Sequence, residues 1–304
     1  MRKERQFRNP ERRAETRAAY LLLTPSIIGL TLITYLPLLA VFVIGLFKWN
    51  GLSSPEFVGF ANYARLFTKD PYFYDSIRAT IYFAFLAVIG SIVWSMFVAI
   101  LLNRKVPARG MFRAVFYLPY VLPAMAVYLG WSWLYDYNHG FFNFVRTRLG
   151  IGRAMFLESP AAVVPSLALI TVWLAGNLIV IFLAGLQNVP RIYYEASEID
   201  GANAWQRFWK ITLPCMTPII FYNLLMALIS SLQVVTPSLA LTSGGPGNST
   251  TFMSYLIYRY AFIGTGKLGY ASAIAAVFFV LVGLVTALIF ASSKFWVFYM
   301  GDER

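Results

Sequence analysis

Six long apolar runs alternate with short polar segments along the chain: residues 20–47, 80–102, 115–135, 161–186, 215–241 and 268–292. None of the six holds an Asp, Glu, Lys, Arg or His. A helix needs about 20 mainly apolar residues to cross the hydrocarbon of a bilayer, so each run predicts one span. Lipid offers the backbone no hydrogen-bond partner, which leaves the α-helix as the element for spans of this kind. The expected fold is all-α: a polytopic membrane protein of six transmembrane helices, forming a single domain over residues 1–304.

The runs are not uniform inside. Pro25 and Pro37 predict kinks in the first, and Pro119 and Pro123 predict a bend or local unwinding in the third. In the fourth, Trp173 and Asn177 are four residues apart and would share a helix face, an aromatic ring above an amide. Such a pair can stack on and hydrogen-bond a sugar; it can equally bond a neighbouring helix. In the fifth, Asn223, Ser230, Gln233 and Pro237 fall within an arc of roughly 80° on one continuous helix. A polar stripe at membrane depth faces a solute path or a helix interface, and both readings stay open. In the sixth, Gly283, Ala287 and Ala291 form a small-residue face for close helix packing.

Charge orients the spans. Of the 25 Lys and Arg, sixteen lie in the N-terminal segment and in alternate loops, beginning with Arg2, Lys3, Arg5, Arg8, Arg12, Arg13 and Arg17. The positive-inside rule then places both termini, the basic residues 1–19 and the 186–214 segment in the cytoplasm. The first run is too long for a signal core and lacks a small-residue cleavage pattern, so it is expected to remain as a span. The formal net charge of +12 is explained by this loop bias, and the basic residues form no stripe that would bind nucleic acid.

Chemistry is sparse. A single Cys215 and a single His139 allow neither a disulfide nor a metal cluster within the chain, so no metal and no cofactor is expected, and no catalytic triad can be assembled. Gly264-Thr265-Gly266-Lys267-Leu268-Gly269 matches a dinucleotide fingerprint without the strand that such a site requires. G-x-x-x-x-G-K-[ST] does not occur, and no span carries an ionisable group that would bind a driving ion. A transporter of this composition must take its energy from a separate motor docking at an inner loop.

The 186–214 segment is the densest polar patch of the second half. Asn188 is expected to cap a helix that has Pro190 in its first turn and runs to about Ile199, before Asp200-Gly201 turns the chain. A second short helix is expected from Asn203 to Lys210. The three acids Glu195, Glu198 and Asp200 would be repelled by anionic lipid, and favour a protein partner over the membrane surface.

Glu195-Ala196-Ser197, Gly201 after three residues and Ile211 after nine more, with Leu213-Pro214, resembles the EAA loop, E-A-A-x3-G-x9-I-x-L-P, of ATP-binding-cassette (ABC) importer permeases. The stretches 57–67, 113–123, 131–143, 242–246 and 269–274 resemble the maltose-type, carbohydrate-transporting branch. The resemblance implies a type I ABC importer permease fold in the plasma membrane of a prokaryote. It implies pairing with a second, homologous permease, two cytoplasmic ATPases that bind the ATP, and an external solute-binding protein. Glu195, Ala196, Ser197, Glu198, Asp200 and Gly201 would couple to the ATPase. Gly244, Gly245 and Pro246 would lie near the docked binding protein, and Trp173, Asn177, Asn223, Ser230 and Gln233 are the expected solute path. The chain itself would be no enzyme. The competing expectation is an ion-driven secondary sugar carrier acting alone.

Overall fold

The computed structural model describes residues 10–104, 107–263 and 266–298. The basic start of the chain, Lys105, the Gly264-Thr265 pair and the tail ending in Arg304 lie outside them. Four helices are long and apolar enough to cross a membrane, and the count is six where each of two bent helix pairs is taken as one span, numbered in chain order. A two-residue antiparallel pair, Phe47 with Phe57 and Lys48 with Glu56, is the β-structure among the described residues.

The second span, Phe73–Asn103, is the central helix and packs against the fourth and fifth. Its buried face carries Ala84, Ala87, Ser91, Ser95 and Ala99. Without a hydrophobic drive between helices in lipid, small residues matter because they let backbones approach. The small face expected on the sixth span, Gly283, Ala287 and Ala291, is instead exposed, with nothing of this chain against it.

The helix starts well before the apolar run at residue 80 because Asp70 caps it. Its Oδ1 accepts the backbone N–H groups of Tyr72 (2.8 Å) and Phe73 (3.0 Å). Its Oδ2 accepts the hydroxyls of Tyr260 (2.7 Å) and Tyr270 (2.6 Å), and Asp70 is only 8% exposed. One carboxylate thereby ties the loop between the first and second spans to the helix Met253–Phe262 and to the start of the sixth span, Leu268–Trp296. Burial, with the carboxylate beside it, holds the Tyr260 phenol above its usual range and keeps it a donor.

Several expected boundaries move. The first span begins at Pro10–Gly29, widens into a π-helical turn at Leu30–Tyr35 and ends with Leu36–Ile44, so residues 45–47 fall outside it. Pro37 lacks the N–H that would bond the carbonyl four residues back, which accounts for the widened turn before it. The third span breaks as its prolines predict: Arg109–Val121 and Ala124–Tyr135 meet at 99° across Leu122-Pro123. The fourth also breaks, into Pro160–Trp173 and Gly176–Asn188 at 50°. No proline sits at that break; Ser95 of the central helix donates to the carbonyl of Ala175 (3.3 Å), which also accepts the N–H groups of Leu178 and Ile179, so a distant part of the chain fastens the bend.

The fifth span is longer on one side and shorter on the other than its apolar run. Ala204–Arg207, a π-helical turn at Phe208–Thr212 and Leu213–Leu232 form one continuous rod, so the separate helix expected over 203–210 is the first part of this span. The rod stops at Leu232, and Pro237 precedes a further π-helical turn, Ser238–Thr242. Asn188 ends the fourth span's second helix and caps nothing, while Pro190 is the N-cap of Arg191–Ile199 instead of its first turn.

Two outcomes test these ties. Asp70→Ala strips two phenols and two backbone N–H groups of their acceptor, and is expected to cost about 3 kcal/mol. A lowered thermal unfolding midpoint in detergent would show it; an unchanged midpoint would show that the carboxylate is no tie. At Gly269 an added Cβ would lie 1.8 Å from the backbone oxygen of Phe47, whereas at Gly283 it would meet nothing within 4 Å. Gly269→Ala should sharply reduce folded, membrane-inserted protein and Gly283→Ala should not, as read by fluorescence-detected size-exclusion chromatography.

Candidate functional site

The polar segment between the fourth and fifth spans folds as a short helix, Arg191–Ile199, a turn over residues 200–203, and the start of the fifth rod. Gly201 has φ +74°, a left-handed conformation that costs an L-residue about 1–2 kcal/mol. An added Cβ there would touch nothing, so the backbone angle, not space, demands glycine. Asn203 then starts the rod with a capping box: its Oδ1 accepts the Gln206 N–H (2.9 Å), and Gln206 Oε1 accepts the Asn203 N–H (2.8 Å).

The structure separates acids that the sequence left equivalent. Glu198 is paired with Arg207 across the turn. Glu195 and Asp200 are exposed and make no ion pair with a described residue. Ala196 is exposed too, and Ser197 donates back to the Tyr194 carbonyl (2.7 Å), so a serine where the EAA pattern has its second alanine stays within the helix. Beside Glu195 the surface carries Ile192, Tyr193 and Ile199, at 67%, 45% and 88% exposure. An acid ringed by exposed apolar side chains on one helix is the chemistry of a protein-docking knob.

Three further groups complete this end of the molecule. The Tyr194 hydroxyl bonds that of Thr212 (2.9 Å), Tyr194 packs against the cluster of Leu186, Val189 and Met216, and the Phe298 N–H donates to Thr217 (2.8 Å). The last bond puts the end of the sixth span at the same end as the 186–214 segment. Tyr194, Arg207 and Thr212 escaped sequence reasoning because nothing in their spacing marks them as partners.

The five expected path residues are not brought together. Trp173 closes the fourth span's first helix and Asn177 opens its second, so the bend between them ends the shared face; the Trp173 ring meets Trp131 edge-on at 5.6 Å. Asn223 is fully buried against the packed spans, and neither amide atom has a hydrogen-bond partner. Ser230 and Gln233 are exposed, and Gln233 caps the end of the rod. With Ser254 and Thr286, Gln233 lines a groove of 740 Å³ between the fifth and sixth spans. The stripe also loses Pro237, which lies beyond the helix end.

At the opposite end, Gly244, Gly245 and Pro246 belong to a knot closed by threonines. Thr250 Oγ1 bonds the Thr242 hydroxyl (2.6 Å) and donates to the Gly245 carbonyl (2.7 Å). Thr251 donates to the Gly244 carbonyl (3.0 Å), and Ser238 to that of Thr250 (2.6 Å). Thr250 and Thr251 are buried, so the loop is held from beneath while Gly245 and Pro246 stay partly exposed. His139 is an exposed residue beside Asp136, whose carboxylate the His139 backbone N–H holds below its usual range. Among the described residues no three His, Cys, Asp or Glu side chains cluster as a metal site.

Residues 91–294 match the family described as "Binding-protein-dependent transport system inner membrane component". The chain is 34% identical to the probable ABC transporter permease protein YesP of Bacillus subtilis (strain 168), over 96% of this chain and 95% of that one. It is 32% identical to the trehalose/maltose transport system permease protein MalF of Thermococcus litoralis, over 88% of this chain and 90% of that one. Its fold is similar to a chain in the crystal structure of a bacterial alginate ABC transporter in complex with an alginate pentasaccharide-bound periplasmic protein, with a TM-score of 0.79, 22% identity, and coverage of 95% and 98%. The chain belongs to the family of binding-protein-dependent transport system inner membrane components.

Proposed function

We propose that this chain is one permease subunit of an ATP-driven importer for a sugar or sugar-like solute. The observation that carries the proposal is the exposed helix Arg191–Ile199, with Glu195 among apolar side chains, in no ion pair with a described residue, and a left-handed glycine turn leading straight into a span. Two cytoplasmic ATPases hold and hydrolyse the ATP, and the helix sits in a cleft of one of them. Glu195 is the electrostatic anchor, Ala196 and Ser197 the close-packing face, Asp200 a further exposed acid, and Gly201 the turn. A second, homologous permease completes the pathway. Both termini lie in the cytoplasm, supported by the loop bias of basic residues and by the Phe298–Thr217 bond.

The solute class is supported by the names of relatives, among them a trehalose/maltose permease and a multiple sugar-binding transport system permease protein from Streptococcus mutans. An external binding protein delivers the solute at the 244–246 knot. Gln233, exposed in the groove between the fifth and sixth spans, replaces the Trp173–Asn177 pair as the best-placed path residue of this chain, with Ser230 on the same rod.

Glu195→Lys and Gly201→Asp are expected to lower ATP-driven uptake at least tenfold while the protein remains inserted in the membrane. Uptake at the wild-type rate in both variants would overturn the docking role. Thr250→Val removes two hydroxyl bonds under the knot and is expected to weaken binding of the external protein severalfold in proteoliposomes, with basal ATP hydrolysis unchanged. Unaltered affinity would remove the knot from the docking surface.

A further inference from the structure

Resting on the coupling role just proposed for Arg191–Ile199, we infer that this helix is clamped to the fifth span and moves it as one body, while its link to the fourth span acts as the hinge. The clamp consists of the Glu198–Arg207 ion pair and the Tyr194–Thr212 hydroxyl bond, so Glu198, Arg207, Tyr194 and Thr212 are positioning residues, distinct from the docking surface around Glu195.

The two sides of the helix differ in kind. Toward the fifth span, the turn is only residues 200–203, and it is closed by the Ala202 N–H on the Ser197 carbonyl (2.9 Å) and the Gly201 N–H on that of Glu198 (3.1 Å). The ion pair and the hydroxyl bond then cross it. Arg207 is held close, its side chain 27% exposed against 63% for Glu198, and Thr212 is 8% exposed. With Glu198 exposed, the ion pair holds only weakly by itself, so the clamp depends on the pair and the hydroxyl bond acting together. Toward the fourth span, Val189 and Pro190 are extended, with ψ of 123° and 130°. No side-chain hydrogen bond or ion pair joins 191–199 to residues 160–188 among the described residues; on this side Tyr194 and the buried Val189 pack in the apolar cluster with Leu186, contacts that have no fixed direction.

The clamp also lies where the rod is softest. Arg207 immediately precedes the π-helical turn Phe208–Thr212 and Thr212 ends it, so the two contacts bracket that turn. A π-turn has wide, poorly stacked geometry and would otherwise absorb a push from below. Fastened at both ends to the short helix, it passes the push upward along Leu213–Leu232, past the buried and unpartnered Asn223, to the Gln233 groove.

The test uses the complete importer in proteoliposomes, on a Cys215→Ser background, with nitroxide pairs at residues 199 and 222 and at residues 199 and 180. Ile199, Tyr222 and Val180 are all exposed, on the short helix, the fifth span and the fourth span. Between the nucleotide-free and ATP–vanadate-trapped states, the 199–222 distance is expected to stay fixed and the 199–180 distance to change. The opposite pattern, both distances changing, or neither, overturns the inference. Glu198→Gln with Thr212→Val is expected to broaden the 199–222 distribution and to lower binding-protein-stimulated ATP hydrolysis severalfold while the ATPase still co-purifies. The exchange Glu198→Arg with Arg207→Glu is expected to restore both, and Tyr194→Phe gives a milder version should the double variant not fold. Wild-type hydrolysis and distances in these variants would sink the clamp alone. Glu195→Lys reports separately on the docking role, since retention of ATPase binding and uptake there would remove that role whatever the clamp does.

Discussion

Hydrocarbon supplies no hydrogen bonds, and this absence disciplines every irregular stretch of the molecule. At several irregular points a side chain adds a bond to the backbone. Ser95 of the central helix covers Ala175 at the break in the fourth span. Thr217 donates to the Pro214 carbonyl and accepts the N–H of Phe298, fastening the end of the sixth span to the fifth. Thr80 accepts the N–H of Met253 as the chain returns from the 244–246 knot. Asn223 stands apart, buried with both amide atoms unpartnered.

The same economy of polar groups divides the molecule into two ends with different tasks. At one end a buried carboxylate, Asp70, gathers two backbone N–H groups and two phenols, joining loop, helix and span into a fixed cap. At the other, acids are exposed on a nine-residue helix that touches the spans through few directional bonds. A buried carboxyl group with four hydrogen bonds is costly to free, which fastens this end of the molecule. On that exposed helix Glu195 makes no ion pair with a described residue, so its charge stays at the surface.

The apolar face of the first span is uncovered along most of its length, and it meets the sixth span only toward its end, where Phe42 and Phe279 pack edge to face at 5.9 Å. The groove beside Gln233 and the bare Gly283, Ala287 and Ala291 face belong to the same open side. Exposed small-residue faces of this kind are surfaces on which another helix can come close.

The sequence by itself determined what depends on local composition. The absence of charge from six long runs marked the four long apolar helices and the two bent pairs, the prolines of the third run forced its 99° break, and the E-A-S-x3-G spacing marked the polar knob and its left-handed turn. Only the tertiary structure decided which helix faces are covered. Asn223 and Ser230 lie at nearly the same azimuth of one rod, yet one is sealed and the other open, because covering depends on which other segments the fold brings against each position. For the same reason Glu198 and Glu195, alike in sequence, part company: Arg207 reaches one across the turn and leaves the other free.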